Sequence, residues 1–222
     1  MSGGSSVLAL DGPAGAGKST VARKCANMLG VTVLDTGAMY RAVTIACLHA
    51  GVDVQDGDAC ARVGRAVSII LEDDGRVLLD GRDVTAEVRT PEITATVSTV
   101  SAHAMVREIM VDHQRAWAEH HGAGVVEGRD IGTVVFPQAQ LKVFLVASND
   151  ERARRRMNDE AVAGRITKFE DLLADLERRD RLDSQRASSP LKPAEDAVLI
   201  DTTGRGVDDV VDQIVTLYRS RS

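Results

Sequence analysis

Short apolar runs alternate along this chain with longer segments whose apolar residues recur every three or four positions. The runs are the length of buried strands, and the periodic segments are typical of amphipathic helices. Strands separated by helices predict an α/β fold, with a parallel sheet covered by helices on both faces. The core runs are residues 7–10, 31–34, 124–127, 141–146 and 198–201.

Residues with strong positional preferences mark where the predicted helices begin and end. A first helix is predicted from Thr20 to Leu29, with Gly30 as its C-cap. A second is predicted from about Ala38 to Ala50. A later helix begins after Thr90, which suits an N-cap because its hydroxyl can accept from a free backbone amide.

One stretch departs from the alternation of strand and helix. Residues 68–72, 76–80 and 82–84 form three short strand-like runs, separated by the turns 73–75 and 80–81. These runs predict a small antiparallel meander inserted into the α/β framework.

The longest periodic segment, residues 104–120, predicts a helix. Its expected apolar face contains Val106, Ile109, Met110, His113 and Trp117. The pair at 120–121 is expected to be exposed.

Composition narrows the class of protein. The 222 residues are 44% apolar and 27% charged, as in an ordinary globular chain. The net charge of −6 argues against nucleic acid as the main partner. No apolar run approaches membrane-spanning length, and residues 1–6 lack the features of a signal peptide, so a loose terminus and a cytoplasmic location are expected. Cys25, Cys47 and Cys60 are expected to be reduced core residues.

A glycine-rich loop between the first strand and the first helix carries the strongest chemical signal. Its G-x-x-x-x-G-K-S pattern lets backbone amides surround a polyphosphate. Lys18 would lie near the β- and γ-phosphates, and the Ser19 hydroxyl can ligate Mg²⁺. The loop predicts a nucleoside triphosphate site formed by Gly12, Pro13, Ala14, Gly15, Ala16, Gly17, Lys18, Ser19 and Thr20.

Two arginine clusters remain open to two interpretations. One contains Arg152, Arg154, Arg155 and Arg156, and the other contains Arg178, Arg179, Arg181 and Arg186. They form either solvated helix faces or a phosphate clamp, since arginine offers planar bidentate donors.

The ends of other strands point to a second anionic ligand. Ligands of such folds lie beyond the carboxyl ends of the strands. There the chain carries Asp35 with Arg41 soon after, and then Arg129 and Asp130. Arg179, Asp183 and Arg186 share one helix face at spacings i, i+4 and i+7. Several convergent arginines, in a chain with few aromatic residues, indicate small-molecule phosphate recognition facing the expected triphosphate.

Four stretches together give the chain a family resemblance. Residues 12–20, 34–41, 127–137 and 178–186 resemble the bacterial cytidylate kinases, and the likeness extends from about Val7 to Tyr218. Ala14 and Thr36 each replace a residue that is commonly serine in that family. The resemblance implies a P-loop NTPase-type fold and transfer of the γ-phosphoryl group of ATP to CMP or dCMP with Mg²⁺. We expect a monomer, because the predicted donor and acceptor groups form a complete site within one chain.

The resemblance also implies residue roles. Ser98, Arg107 and Asp130 would read the cytosine, with Thr36 and Gly37 nearby. Arg41, Arg129 and Arg186 would bind the CMP phosphate, while Tyr40, Arg179 and Asp183 would hold the ribose. The implied catalytic set is Lys18, Arg129, Arg186, Arg152, Arg155 and Arg156. Taken without the resemblance, Ser98 and Arg107 would be assigned to helix surfaces.

Three regions follow from the same resemblance: a core of residues 7–35, 105–149 and 166–219, a monophosphate-binding region of residues 36–104, and a helical lid of residues 150–165. The lid arginines Arg152, Arg155 and Arg156 have i, i+3, i+4 spacing, and Gly164 offers a flexible point, so closure over the phosphates is a hypothesis.

Other functions are weighed against this one. A P-loop kinase could use another nucleotide, shikimate or a coenzyme precursor as acceptor. A nucleotide-dependent switch would leave the arginines of the acceptor side unexplained. An RNA-binding protein is disfavoured by the acidity and by an aromatic content of only 3%.

Overall fold

A five-stranded parallel sheet forms the centre of the molecule, as the alternation of strands and helices predicts. The computed structural model describes residues 6–162 and 164–221, so the expected loose end at residues 1–5 lies outside the described residues. The strand order is β2-β6-β1-β7-β8. The strands are β1 (Ser6–Asp11), β2 (Thr32–Asp35), β6 (Ala123–Gly128), β7 (Leu141–Val146) and β8 (Val198–Asp201).

Helices cover both faces of this sheet. The helices are α1 (Lys18–Leu29), α2 (Thr36–His49), α3 (Gly57–Ala66), α4 (Pro91–Val100), α5 (Ala104–His121), α6 (Asn149–Val162), α7 (Phe169–Ser184) and α8 (Val207–Arg219). Alternate residues of β1 serve opposite faces, because successive side chains of a strand point in opposite directions. Leu8 and Leu10 pack with α1 and α8. Val7 and Ala9 pack with α2 and α5.

The predicted insert is a separate antiparallel sheet of three short strands. These are β3 (Ile69–Leu71), β4 (Val77–Leu79) and β5 (Arg82–Asp83), in the order β3-β4-β5. Its apolar side packs on α2, where Leu79 and Val84 meet Ala42 and Ile45. The insert therefore enlarges the part of the molecule that contains α2, the helix that directly follows β2.

Two helices begin earlier than the sequence pattern predicts. α1 begins at Lys18 instead of Thr20, because Gly17 ends the loop in a left-handed conformation. α2 begins at Thr36 instead of Ala38, because the Asp35 side chain accepts a hydrogen bond from the Ala38 amide and caps the helix. Gly30 and Thr90 cap their helices as predicted.

The buried face of α5 differs from its apolar pattern. His113 is exposed and Trp117 only partly buried, so the prediction that His113 lies on the core face is wrong. The face that packs inward carries two polar residues, Arg107 and Gln114, at 3% and 1% exposure. These two contribute to the polar site described below, and an apolarity pattern could not have placed them inside.

His120 and His121 are exposed, as expected. Across residues 6–162 and 164–221, no helix is both long enough and apolar enough to cross a membrane.

Candidate active site

Backbone geometry requires glycine at two positions of the loop between β1 and α1. Gly12 has a φ of 148°, and a Cβ there would lie 2.3 Å from the carbonyl oxygen of Leu145. Gly17 has a φ of 90° and ends the loop at the first turn of α1. The loop thus presents its amides at a helix N-terminus, which is a favourable place for phosphate oxygens.

Lys18 and Ser19 occupy the first turn of α1, and both turn toward the carboxyl ends of the strands. The ammonium of Lys18 donates to the Pro13 carbonyl at 2.8 Å, which holds the side chain across the loop. Burial, together with the positive charge of Arg129, lowers the pKa of Lys18. A phosphate anion beside this ammonium would favour its charged form. Thr20, by contrast, is exposed.

A buried carboxylate lies next to Ser19. The Ser19 hydroxyl donates to Oε2 of Glu127 at 2.9 Å. Burial, with the nearby charge of Asp35, raises the pKa of Glu127. A divalent cation held here would relieve the repulsion between Glu127 and Asp35. A hydroxyl, carboxylates and phosphate oxygens form the oxygen-only set that Mg²⁺ prefers, so the residues fit the ion.

A buried ion pair lies in the region that the sequence assigns to the acceptor, called the acceptor side below. Nη2 of Arg107 donates to Oδ2 of Asp130 at 2.5 Å, and Nη1 donates to the Ser101 carbonyl at 3.1 Å. The two side chains are 3% and 5% exposed. The pair joins α5 to the segment after β6 and presents a carboxylate and a guanidinium side by side.

The aromatic ring of Tyr40 lies beneath the Arg107 side chain. The Cζ of Arg107 lies 5.2 Å from the centroid of the Tyr40 ring, within the range of a cation–π contact. The Tyr40 hydroxyl is directed toward Gln114, although neither side chain makes a hydrogen bond of ordinary geometry within the described residues. Burial raises the pKa of Tyr40 to about 12. Its hydroxyl is therefore a neutral polar group buried on the acceptor side.

A second buried network brings three sequence-predicted residues together. Oδ2 of Asp183 accepts from Nε of Arg129 at 2.9 Å, and Oδ1 accepts from Nη2 of Arg186. Arg186 also donates to the Ser101 hydroxyl at 3.0 Å. Ser101 thus contacts both Arg186 and Arg107, which joins the two networks of the acceptor side.

Arg41 and Arg179 add positive charge to the same region. Arg41 donates to the Val88 carbonyl at 2.9 Å and to the Thr94 hydroxyl at 2.8 Å. Burial, together with the charge of Arg179, lowers the pKa of Arg41 to about 10. Burial and the charge of Arg129 lower the pKa of Arg179 in the same way. Guanidinium groups that destabilise one another in this way favour a bound anion.

The other sequence-predicted substrate residues lie around these networks. The Thr36 hydroxyl donates to the Glu127 carbonyl at 2.7 Å, and Gly37, which is exposed, follows it in the first turn of α2. Ser98 is 5% exposed on α4, one turn before Ser101. Burial of Ser98 and Arg107 overturns the interpretation from sequence context alone, which placed both on helix surfaces.

The three arginines predicted for the lid lie in three different environments. Arg152 is 3% exposed and bonded to the Ala14 carbonyl at 3.0 Å and to Asp180 at 2.6 Å. Arg155 donates to the Thr202 hydroxyl at 2.9 Å, beside Gly17. Arg156 pairs with Glu160 at 2.6 Å and lies close enough to Arg41 and Arg179 to lower the pKa of each. Only Arg156 extends the cluster on the acceptor side.

The two arginine clusters therefore divide between the interpretations left open by the sequence. Arg154 and Arg178 are solvated, with side chains 61% and 45% exposed. Arg152, Arg179 and Arg186 belong to the buried polar groups described above. For Arg179 and Arg186, the helical spacing that they share with Asp183 is the sequence signal of a common buried face.

Sequence reasoning missed several polar residues that build the site, among them Ser101, which joins the two networks. Glu127 and Asp11 end neighbouring strands, and a carboxylate following an apolar strand was the available signal. Thr202 follows β8, and Gln114 carried no such signal. The cysteines at 25, 47 and 60 are free and buried, as expected. Within the described part of the chain, no group of three or more His, Cys, Asp or Glu residues could hold a metal ion.

Comparison with known proteins adds independent findings. A family model described as cytidylate kinase matches residues 8–220. A cytidylate kinase of Desulforamulus reducens is 50% identical over 211 residues, which cover 94% of this chain and 95% of that one. A cytidylate kinase of Rhodococcus opacus is 50% identical over 225 residues, which cover 100% and 98%. A solved structure from Eubacterium ventriosum, of an uncharacterized protein, has a TM-score of 0.51 at 13% identity over 96% of this chain and 98% of that one, which shows the fold alone.

Proposed function

The chain belongs to the cytidylate kinase family, and we propose that it transfers the γ-phosphoryl group of ATP to CMP or dCMP, producing ADP and CDP or dCDP. The observation that carries this function is the buried Arg107–Asp130 pair beside a cluster of guanidinium groups. In this proposal the pair reads the base and the cluster holds the acceptor phosphate, which the link from Arg107 to Arg186 through Ser101 supports.

The Arg107–Asp130 pair suits cytosine. Cytosine offers its 4-amino group as a donor, with N3 and O2 as acceptors, so a carboxylate and a guanidinium complement it. Uracil reverses the polarity at N3 and at position 4. A uracil in this site would leave buried groups unpaired, at a cost of about 1–3 kcal/mol. Ser98 and Thr36 would complete the base site, which is supported by the hydrogen bond from Ser101, itself bonded to Arg107, to the Ser98 carbonyl.

The guanidinium cluster suits the acceptor phosphate and the sugar. Arg41, Arg129 and Arg186 would bind the CMP phosphate, because each offers charge-assisted donors to a dianion. Arg179 and Asp183 would hold the ribose, and Tyr40 would contribute through its ring beneath Arg107.

The donor half binds the triphosphate of ATP through loop amides and Lys18. Ser19, with Glu127 and Asp35 nearby, would hold Mg²⁺, which supplies charge neutralisation on the phosphate oxygens when bound. The protein aligns the two phosphates in line and excludes water. The acceptor is itself an anion at neutral pH, so the transfer requires no general base.

In this proposal the three lid arginines have different roles. Arg152 fixes the P-loop through the Ala14 carbonyl, Arg155 lies beside the loop at Gly17, and Arg156 is available to the transferring phosphoryl group. Closure would involve the helical lid of residues 150–165 and the region of residues 36–104, moving relative to the core.

We propose a monomer, because the donor and acceptor groups named above form a complete set that needs no residue from a second copy. The free buried cysteines agree with a reducing cytoplasm, and the net charge of −6 agrees with small-molecule partners instead of nucleic acid.

A coupled assay of ADP release tests the proposal across CMP, dCMP, UMP, AMP, shikimate and no acceptor. We expect release to depend on CMP or dCMP. Equal turnover with shikimate or AMP would reassign the acceptor, and equal turnover with no acceptor would indicate a nucleotide-dependent switch.

A further inference from the structure

The carboxylate of Asp11 connects the end of β1 to the segment after β6. Oδ1 accepts a hydrogen bond from the Ile131 amide, and Oδ2 accepts one from the Gly132 amide, each at 2.8 Å. The residue is 4% exposed. Both carboxylate oxygens are thus used on consecutive amides of a single turn.

That turn needs an external acceptor. Residues 131–135 form a short π-helical turn, whose later amides bond within the turn: Val134 and Val135 donate to the Asp130 carbonyl. The first amides of a helical turn have no acceptor inside it. Asp11 satisfies two of them from a different strand, as an N-cap side chain does within one helix.

The position of Asp11 places it between the two halves of the site. The turn follows Arg129 and Asp130 directly, and these two residues hold Asp183 and Arg107. On its other side, Asp11 precedes Gly12, the first residue of the P-loop. One carboxylate therefore joins the loop that would hold the donor to the turn behind the acceptor residues.

We propose that Asp11 is a positioning residue that sets the acceptor site relative to the P-loop by anchoring the turn at residues 131–135. The inference rests on the proposed kinase function, since in-line transfer requires two phosphates to be held at a fixed separation. Asp11 does not touch either substrate in this account. Its effect passes through Arg129 and Asp130.

The charges that face Asp11 agree with an ionised carboxylate in this role. Burial raises the pKa of Asp11 to about 6, and its hydrogen bonds from Gly132 and Ile131 oppose that rise. Asp130 raises the pKa further, while Lys18 on α1 lowers it. At neutral pH the group is ionised and can accept from both amides.

The variant Asp11→Asn tests the proposal, because an amide keeps the shape but offers only one oxygen. We expect kcat/KM for CMP to fall about 10- to 100-fold, while the Kd of ATP, from equilibrium titration, stays within about twofold. Hydrogen exchange in the peptide 129–136 should accelerate. The matched control is Asp56→Asn, which alters a carboxylate that caps α3 by accepting from Ala59 at 2.9 Å. Asp56→Asn should leave kcat/KM for CMP and the Kd of ATP unchanged.

Two results would overturn the proposal. One is unchanged kcat/KM for CMP and unchanged exchange in Asp11→Asn, and the other is an equal loss of ATP affinity, which would place the role of Asp11 in the P-loop. Absence of CMP phosphorylation by the wild-type protein would instead refute the proposed function, while the exchange measurement would still test the anchor. If Asp11→Asn does not fold, Asp11→Ser must show the same selective loss.

Discussion

The donor and acceptor halves of the site are built in opposite ways. The proposed donor half occupies nine consecutive residues, 12–20, and would bind largely through backbone amides at one helix end. The proposed acceptor half draws side chains from α2, α4, α5, α7 and the segment after β6. Its residues are held by buried ion pairs such as Arg107–Asp130 and Arg129–Asp183.

This difference has an energetic consequence. A loop of backbone amides lowers the folding stability little, because its geometry is set by the glycines and by the helix that follows. Buried guanidinium groups are costly to desolvate and repel one another, so the acceptor half is maintained at the expense of stability. We therefore expect substitutions in the two halves to affect catalysis, binding and stability in different proportions.

Lys18→Ala should have the largest effect on catalysis. It removes the cation that would stabilise charge on the transferring group, so kcat should fall about 10²- to 10³-fold. The Kd of CMP, measured by calorimetry, should change little because the acceptor half is intact. Lys24→Ala, on the exposed side of the same helix, is the control and should leave kcat unchanged. A comparable loss of CMP binding in Lys18→Ala would show that the halves are not separable.

Arg179→Ala should affect the acceptor alone. Loss of a buried charged donor should lower kcat/KM for CMP about 10- to 100-fold, with the KM of ATP unchanged. The melting temperature should hold or rise, because repulsion with Arg129 and Arg41 is relieved. The neighbouring Arg178 is exposed and paired with Asp175, so Arg178→Ala should change neither quantity. A drop in melting temperature for Arg179→Ala alone would mean that the residue is structural.

Arg152→Ala should show the reverse pattern. The change leaves Asp180 and the Ala14 carbonyl without their buried partner. Loss of such a partner costs about 3 kcal/mol, equivalent to a fall in Tm of about 6–12 °C for a chain of this size. Arg156→Ala should lower kcat with little change in Tm, since its pair with Glu160 is partly exposed. Equal thermal losses in both variants, by calorimetry, would contradict this division.

The smallest expected effect is a dependence of stability on pH. The folded pKa of Asp11 is about 6, above its ordinary value of 3.8, so the folded state binds a proton that the unfolded state has lost between these values. The contribution of Asp11 to stability therefore decreases as pH rises through this window. The stability advantage of the wild type over Asp11→Asn should shrink by about 1 kcal/mol from pH 5 to pH 7.5, which corresponds to a decrease of about 2–4 °C in the Tm difference. A constant difference would show that Asp11 has an ordinary pKa.

The same division explains what the sequence could predict. The P-loop and the parallel sheet depend on local patterns, and both are confirmed in the structure, as is the insert. Sequence predictions were wrong at the start of α2 and on the buried face of α5. Asp35 caps α2 from the end of β2, and the exposed His113 lies where an apolar pattern expected core.

The acceptor half could not be assembled from local pattern. Arg107 is buried because Asp130, 23 positions later, provides its partner. Glu127 and Asp11 looked like strand ends, and only the fold reveals their partners, Ser19 and the turn at residues 131–135. The resemblance to a family supplied the roles of Ser98 and Arg107, which their own sequence context did not indicate.

The ratio of kcat/KM for CMP to that for UMP tests most directly whether selectivity resides in the acceptor half. The wild-type ratio should exceed about 10, since uracil leaves buried groups unpaired. Asp130→Asn should bring the ratio close to one, because an amide can both donate and accept at position 4 of the base. Ala14→Ser, on the donor side, should leave the ratio unchanged. An unaltered ratio in Asp130→Asn would contradict the assignment of cytosine recognition to the Arg107–Asp130 pair.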